Sequence, residues 1–257
     1  MENKIELQAG KNKWHLYIRD EADESVFNEI FKLHEYRIAD EVIKNAKHPI
    51  VDVGAHAGFF TMHARAVNEQ VKIFAIEPET KNLEFLHRHL TENKIIGVKI
   101  IEAALAESSG PRKLVIAPDS HNHTLAAAVI PDLFAGQADL IGNPGGDKPN
   151  SDFGGNDNMR VTVDTASFSD LLKQYKIKKV SLIKMDIEGG EYEVFEGMSE
   201  ADLSVVNYLI LEYHEGREKS KKIEDKLRVN GFAVQVFPSK FDKTMGFIFA
   251  HNKRFKE

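Results

Sequence analysis

The segment Val51-Asp52-Val53-Gly54-Ala55-His56-Ala57-Gly58-Phe59-Phe60-Thr61 limits what this chain can become more than any other. It sets an apolar run, a glycine bend and a helix start end to end. A buried strand feeding a helix through a tight turn satisfies that order, because Gly54 and Gly58 carry no Cβ and can turn sharply or approach a neighbour closely. The pattern then repeats. Val71–Ile76, Val98–Ile101, Val180–Met185 and Val205–Leu211 read as buried strands. Between and around them, Gly58–Val67, Thr80–Glu92, Ser169–Tyr175, Gly190–Gly197 and Glu218–Val229 read as helices. Alternating strands and helices require crossovers and a mostly parallel sheet covered on both faces. Ala233–Phe237 and Gly246–Ala250, joined by a short Pro-Ser-Lys segment, are expected to close the sheet as an antiparallel hairpin.

Two regions stand outside this rhythm. Residues 1–48 are polar at first. From Glu24 to Lys47 they carry apolar residues at helical spacing, with a break near His34, so they read as an N-terminal helical cap on a main domain at 49–257. Residues 117–158 are rich in Gly and Pro and form an insertion suited to a loop or a lid over a substrate. With 257 residues, 42% apolar and 29% charged, the chain is an ordinary globular protein rather than a disordered one. It has no cysteine, which excludes disulfide scaffolds, thiolate metal sites and cysteine nucleophiles. A net charge of −6 argues against bulk nucleic-acid binding. No apolar run approaches the roughly 20 residues a membrane span needs. The polar stretch Met1 to Lys13 lacks a leader-like apolar core, so the expected location is cytoplasmic.

The chemistry gathers at the carboxyl ends of the expected strands, where open α/β sheets bind ligands. Gly54 and Gly58 open the first crevice, and a helix N-terminus points its free N–H groups there. The spacing is Gly-x-x-x-Gly, neither the dinucleotide Gly-x-Gly-x-x-Gly nor a P-loop. Glu77, followed by Pro78, ends the second strand and is placed to accept hydrogen bonds from vicinal ribose hydroxyls. Glu102-Ala103-Ala104-Leu105 ends the third strand with small residues that leave room for a flat base. Together these indicate a nucleoside cofactor without a phosphate cradle, which S-adenosylmethionine fits better than NAD.

Val51–Thr61, Ile76-Glu77-Pro78 with Asn82, and Lys184-Met185-Asp186-Ile187-Glu188-Gly189-Gly190-Glu191 with Gly197 resemble the signature blocks of FkbM-type methyltransferases. Leu211-Glu212-Tyr213-His214 is similar to the block ending the following strand. The resemblance runs from about Ile50 to Phe249, leaving out the insertion. It implies a Rossmann-like class I methyltransferase fold with a seven-stranded sheet, S-adenosylmethionine as cofactor, and O-methylation as the typical activity. It also implies that Asp52, Gly54, Gly58 and Glu77 bind the cofactor, with Asp186 beside the methyl group; Ala55, His56, Pro78, Glu102 and Ala103, next to them in the sequence, are expected to share in that binding. His56 stands where the family often has Asn. Thr165-Ala166-Ser167 lacks the family's usual aspartate, though Ser167 can still cap the next helix.

Asp186 follows a buried strand and so emerges at the ligand end of the sheet. Strand alternation puts Glu212 and His214 on one side, as a candidate proton-removing pair with His214 as the base. Glu188 and Glu191 either reach the same mouth or cap the following helix, while Glu193 and Glu196 fit a solvated helix face. His121-Asn122-His123 forms no recognised metal set, and no metal is assigned. A divalent ion held by Asp186, Glu188 and Glu212 is conceivable but not adopted. The expected acceptor is a hydroxyl on a small molecule or glycan, since acids at the mouth oppose a polyanion. An NAD-dependent oxidoreductase, a non-catalytic cofactor-binding module and an RNA acceptor remain as alternatives on the residues alone.

Overall fold

The computed structural model describes residues 2–9, 12–115, 124–125, 160–214, 216–240 and 242–257. The chain opens with an antiparallel hairpin, β1 (Asn3–Ala9) and β2 (Asn12–Ile18), in place of the purely helical cap that the sequence pattern predicts. Helix α1 (Glu21–Phe31) follows, capped by Asp20. The break expected near His34 is real: His34 adopts a left-handed φ of 55° and starts a 3₁₀ turn that leads into α2 (Asp40–Lys44). The alternating part then runs through β3 (Ile50–Val53), α3 (Phe59–Val67), β4 (Ile73–Ile76), α4 (Thr80–Glu92) and β5 (Val98–Ile101). A small second sheet takes β6 (Ala104–Leu105), β7 (Gly110–Val115), β8 (Thr124–Leu125) and β9 (Arg160–Ala166). The main run resumes with α5 (Phe168–Gln174), capped by Ser167, and β10 (Val180–Met185). It continues through α6 (Glu191–Gly197), α7 (Glu200–Ser204), β11 (Val206–Tyr213) and α8 (Arg217–Val229) to β12 (Phe232–Pro238) and β13 (Gly246–Asn252). Apart from Thr124 and Leu125, the insertion at 117–158, including His121 and His123, lies outside the described residues.

The main sheet has seven strands in the order β12-β13-β11-β10-β3-β4-β5. Strands β11, β10, β3, β4 and β5 are parallel, and β13 enters antiparallel between β11 and β12. The fold is therefore the one the sequence pattern and the resemblance implied. Chain order reverses between β3 and β10, and a crevice opens beyond the carboxyl ends of those two strands.

Each face of the sheet has its own apolar core. Val51, Val53, Ile183, Met185 and Leu209 point to the face covered by α5, α6 and α8. Ile50, Ile73, Leu182 and Ile210 point to the other, where they meet α3, α4 and the N-terminal segment through Leu16, Ile18, Phe27, Ile30, Tyr36 and Ile43. The first 48 residues thus help build the core. Among the described residues, no helix is long and apolar enough to cross a membrane.

His89, fully buried on α4, pins the hairpin to the glycine loop. Its Nε2 accepts the Tyr17 backbone N–H at 2.8 Å, which leaves Nδ1–H to donate to the Ala57 carbonyl at 2.7 Å. Only the neutral ring can do both. Burial accordingly lowers its pKa from 6.5 to about 4. Because the unfolded chain binds this proton more readily, the contribution of His89 is complete above pH 6.5 and is lost as pH falls through about 4. The shift corresponds to roughly 3 kcal/mol. In urea unfolding, the stability difference between wild type and His89→Gln should shrink by about that amount between neutral pH and pH 4. A difference independent of pH would contradict the neutral-ring assignment.

Candidate active site

The crevice is a cavity of about 640 Å³, within the usual range for a small-molecule site. Its floor is the bend after β3. Gly54 has a φ of 72°, and a Cβ placed on it would lie 1.9 Å from the Asp186 carbonyl oxygen. Only glycine lets the loops after β3 and β10 come this close. The Gly54 and Ala55 N–H groups donate to the Ile76 carbonyl at 3.1 and 3.0 Å, tying the bend to the end of β4.

Lys184, buried on β10, secures the same bend from below. Its Nζ donates to the Gly54 carbonyl at 2.8 Å and lies 3.6 Å from Asp52 Oδ1 and 3.8 Å from Asp186 Oδ2. Asp52 is fully buried and accepts the Thr61 hydroxyl at 2.6 Å. Burial pushes Asp52 up, while Lys184 and Thr61 pull it down. At Lys184, burial is outweighed by the charges of Asp52, Asp186 and Glu212, so its pKa is raised. An ammonium between Asp52 and Asp186 stays charged, and Asp52 is its buried counter-ion.

Toward β4 and β5, Glu77 lines the cavity and is 4% exposed. Its Oε2 accepts the His56 N–H at 2.8 Å, and its Oε1 accepts the Glu79 N–H at 2.9 Å and the Asn82 side-chain amide at 3.2 Å. A carboxylate has about four acceptor positions, so these three bonds leave one for a ligand hydroxyl. Burial raises the Glu77 pKa, and the three hydrogen bonds oppose the rise. Pro78, Ala103, Ala104 and Leu105 make an apolar slot beside it.

Toward β10 and β11 the wall turns acidic, with Asp186, Glu188, Glu193 and Glu212 joined by Glu29 from α1. Ligand atoms of Asp186, Glu212 and His214 lie within 4.8 Å of one another. Burial and then the Asp186 charge push Glu212 up to about 9, with His214 working the other way. Burial also works against a charged His214, but the hydrogen bond to Glu191 and the charges of Glu191, Glu188 and Asp186 prevail and raise it to about 10. The imidazole therefore holds its proton near neutral pH, which is unlike a free base. To act as the base expected from the sequence, His214 would first have to give that proton up.

Of the residues singled out in the sequence, Gly54, Ala55, His56, Glu77, Pro78, Ala103, Asp186, Glu212 and His214 line this one cavity. Asp52, Gly58 and Glu102 do not. Asp52 lies beneath the floor. Gly58 gives its space to Leu86, whose Cδ1 would lie 2.4 Å from an added Cβ. Glu102 is exposed, with an oxygen 3.6 Å from His87 Nε2. Glu193, expected on a solvated face, instead pairs with Arg112 and borders the cavity. Several participants had no local signal. Glu29 and Tyr36 line the cavity from the N-terminal segment. Arg19 joins that segment to the loop, donating to both Asp23 oxygens and to Asn82 Oδ1, and its Nη2 lies 3.1 Å from His56 Nε2.

Residues 52–243 match the family described as the methyltransferase FkbM domain. Methyltransferase sdnD of Sordaria araneosa is 28% identical over 239 residues, covering 89% of this chain and 88% of that protein. The 31-O-demethyl-FK506 methyltransferase FkbM of Streptomyces tacrolimicus is 24% identical over 196 residues, 72% of each chain. Hexuronic acid methyltransferase AglP of Haloferax volcanii is 27% identical over 197 residues, 73% of this chain and 67% of that one.

Breaking the buried pair under the floor should be costly. Lys184→Met leaves Asp52 uncompensated and should destabilise the fold by about 3–5 kcal/mol in urea unfolding. Adding Asp52→Asn should recover most of that loss. A single-variant loss below about 1 kcal/mol, as for an exposed pair, would contradict the role given to Lys184.

Proposed function

The chain belongs to the FkbM methyltransferase family, and on that premise we propose that it transfers a methyl group from S-adenosylmethionine to a hydroxyl oxygen on a small molecule or glycan. One observation carries this reading: a single cavity has a buried carboxylate with a spare acceptor position at one end and a cluster of proton-binding side chains at the other. When bound, S-adenosylmethionine supplies an electrophilic methyl group on a sulfonium sulfur.

The cavity suits that group. Glu77 would take one ribose hydroxyl on its remaining position, and the slot at Ala103–Leu105 would hold the flat base. The bend at Gly54, Ala55 and His56 would lie against the nucleoside, and the acids beyond it suit a cationic sulfonium. Asp52 would act from below, through Lys184 and the Gly54 carbonyl, and Gly58 through its packing on Leu86.

The acceptor would enter at Asp186, Glu212 and His214, under α1 and Tyr36. Methylation of a hydroxyl forms an O–C bond, breaks the S–C bond and releases the hydroxyl proton. The carboxylate of Asp186 is placed to receive that proton, since Glu212 and His214 already hold their own near neutral pH. The acidic wall favours a neutral polyol over a polyanion. Oxygen as the methylated atom is also in line with the relative whose name specifies an O-demethyl substrate.

Calorimetry should give one-to-one binding of S-adenosylhomocysteine and no heat with NADH. Glu77→Ala should weaken that binding by about 1–3 kcal/mol. Asp186→Asn should lower turnover on a responsive polyol by about 10²–10⁴. NADH binding without any response to S-adenosylhomocysteine would overturn the proposal in favour of an oxidoreductase.

A further inference from the structure

The acidic end of the cavity holds more than a proton acceptor needs. Donor atoms of Asp186, Glu212 and His214 lie within 4.8 Å of one another. Donors around one first-row ion are spaced about 3–4.5 Å apart, so small side-chain adjustments would bring these three onto one centre. The histidine carries the second and independent observation. Its Nδ1 is 3.2 Å from Glu191 Oε1, and Glu191 is itself fully buried and held by the Ile187 N–H at 3.1 Å. A carboxylate behind one ring nitrogen is the arrangement that fixes metal-binding imidazoles and presents the other nitrogen outward. That other atom, Nε2, is buried and has no hydrogen-bond partner in the protein, and His214 as a whole is 9% exposed and faces the cavity. Nε2 makes an ion pair with Glu188 Oε2 at 3.3 Å, a carboxylate that would itself be one more oxygen donor to a cation.

The surrounding charge calls for a cation as well. Glu29 and Glu188 add to the carboxylates on this wall. The ammonium of Lys184, 3.8 Å from Asp186, is already shared with Asp52 and the Gly54 carbonyl.

We propose that Asp186, Glu212 and His214 form a divalent-cation site at the acceptor end of the cavity, binding through one oxygen of each carboxylate and the imidazole Nε2. A mixed set of two oxygens and one nitrogen with open positions suits a first-row ion such as Mn²⁺ better than Ca²⁺. The ion displaces the protons on His214 and Glu212 to solvent on binding. Its role in catalysis rests on the methyl-transfer reading: an open coordination position would take the acceptor hydroxyl, lower its pKa and pass its proton to solvent or a free carboxylate. Its binding does not depend on that reading.

The test uses Mn²⁺ alone, added to the full chain and followed by loss of the free-ion electron paramagnetic resonance signal. Saturable one-to-one binding is expected. It should weaken at least about tenfold in both Glu212→Gln and His214→Ala, while circular dichroism and S-adenosylhomocysteine affinity stay as in wild type. No binding at millimolar Mn²⁺, or binding that survives both substitutions as an adventitious ion only, would overturn the site. Calorimetry with S-adenosylhomocysteine on the same samples separates the two readings. Nucleoside binding without Mn²⁺ binding removes the ion alone. Mn²⁺ binding without nucleoside binding keeps the ion site and removes the methyl-donor assignment.

Discussion

The close approach of two loops at the reversal point of the sheet is the constraint on which the rest depends. Gly54 passes so near the Asp186 carbonyl that no side chain fits between them, and Lys184 joins the Gly54 carbonyl to the carboxylates of Asp52 and Asp186. One buried ammonium therefore sets the distance between the bend after β3 and the strand end that carries Asp186. Glu77, just past the end of β4, and Glu212, on β11, inherit their separation from that arrangement through parallel pairing.

Burial gives the two ends of the cavity different electrostatics. At Glu77, three hydrogen-bond donors oppose the desolvation of one carboxylate. At the other end, carboxylates crowd one another and are offset by protons on Glu212 and His214. The first end suits a neutral hydroxyl, while the second suits groups that gain or lose a proton or carry positive charge. Methyl transfer from a sulfonium to an alcohol needs one of each.

Much of this was legible in the sequence, for physical reasons. Strands β3, β4 and β10 are buried along their whole length and read as short, mainly apolar runs, and α4 is bounded where expected at Thr80 and Glu92. The pairing of Glu212 with His214 followed from strand alternation. Other features were harder to see. In β1 and β2, apolar Ile5, Leu7, Trp14 and Leu16 alternate correctly, but Lys, Asn and Glu between them mask the signal. Strand β6 has two residues and β7 begins Gly110-Pro111, which is poor strand sequence. The clamp of Glu191 on His214, and that of Arg19 on Asn82, join positions 23 and 63 residues apart in the chain. No local pattern encodes such pairs.

The central claim is that Glu77 holds the sugar of the methyl donor, and it is open to a chemical double-mutant cycle. Calorimetric affinities of wild type and Glu77→Ala are measured for S-adenosylhomocysteine and for its 2′,3′-dideoxy analogue. Wild type should prefer the parent nucleoside by about 1–3 kcal/mol, and the preference should largely vanish in the variant. A preference of equal size in both proteins, or none in wild type, would place the ribose elsewhere and contradict the claim.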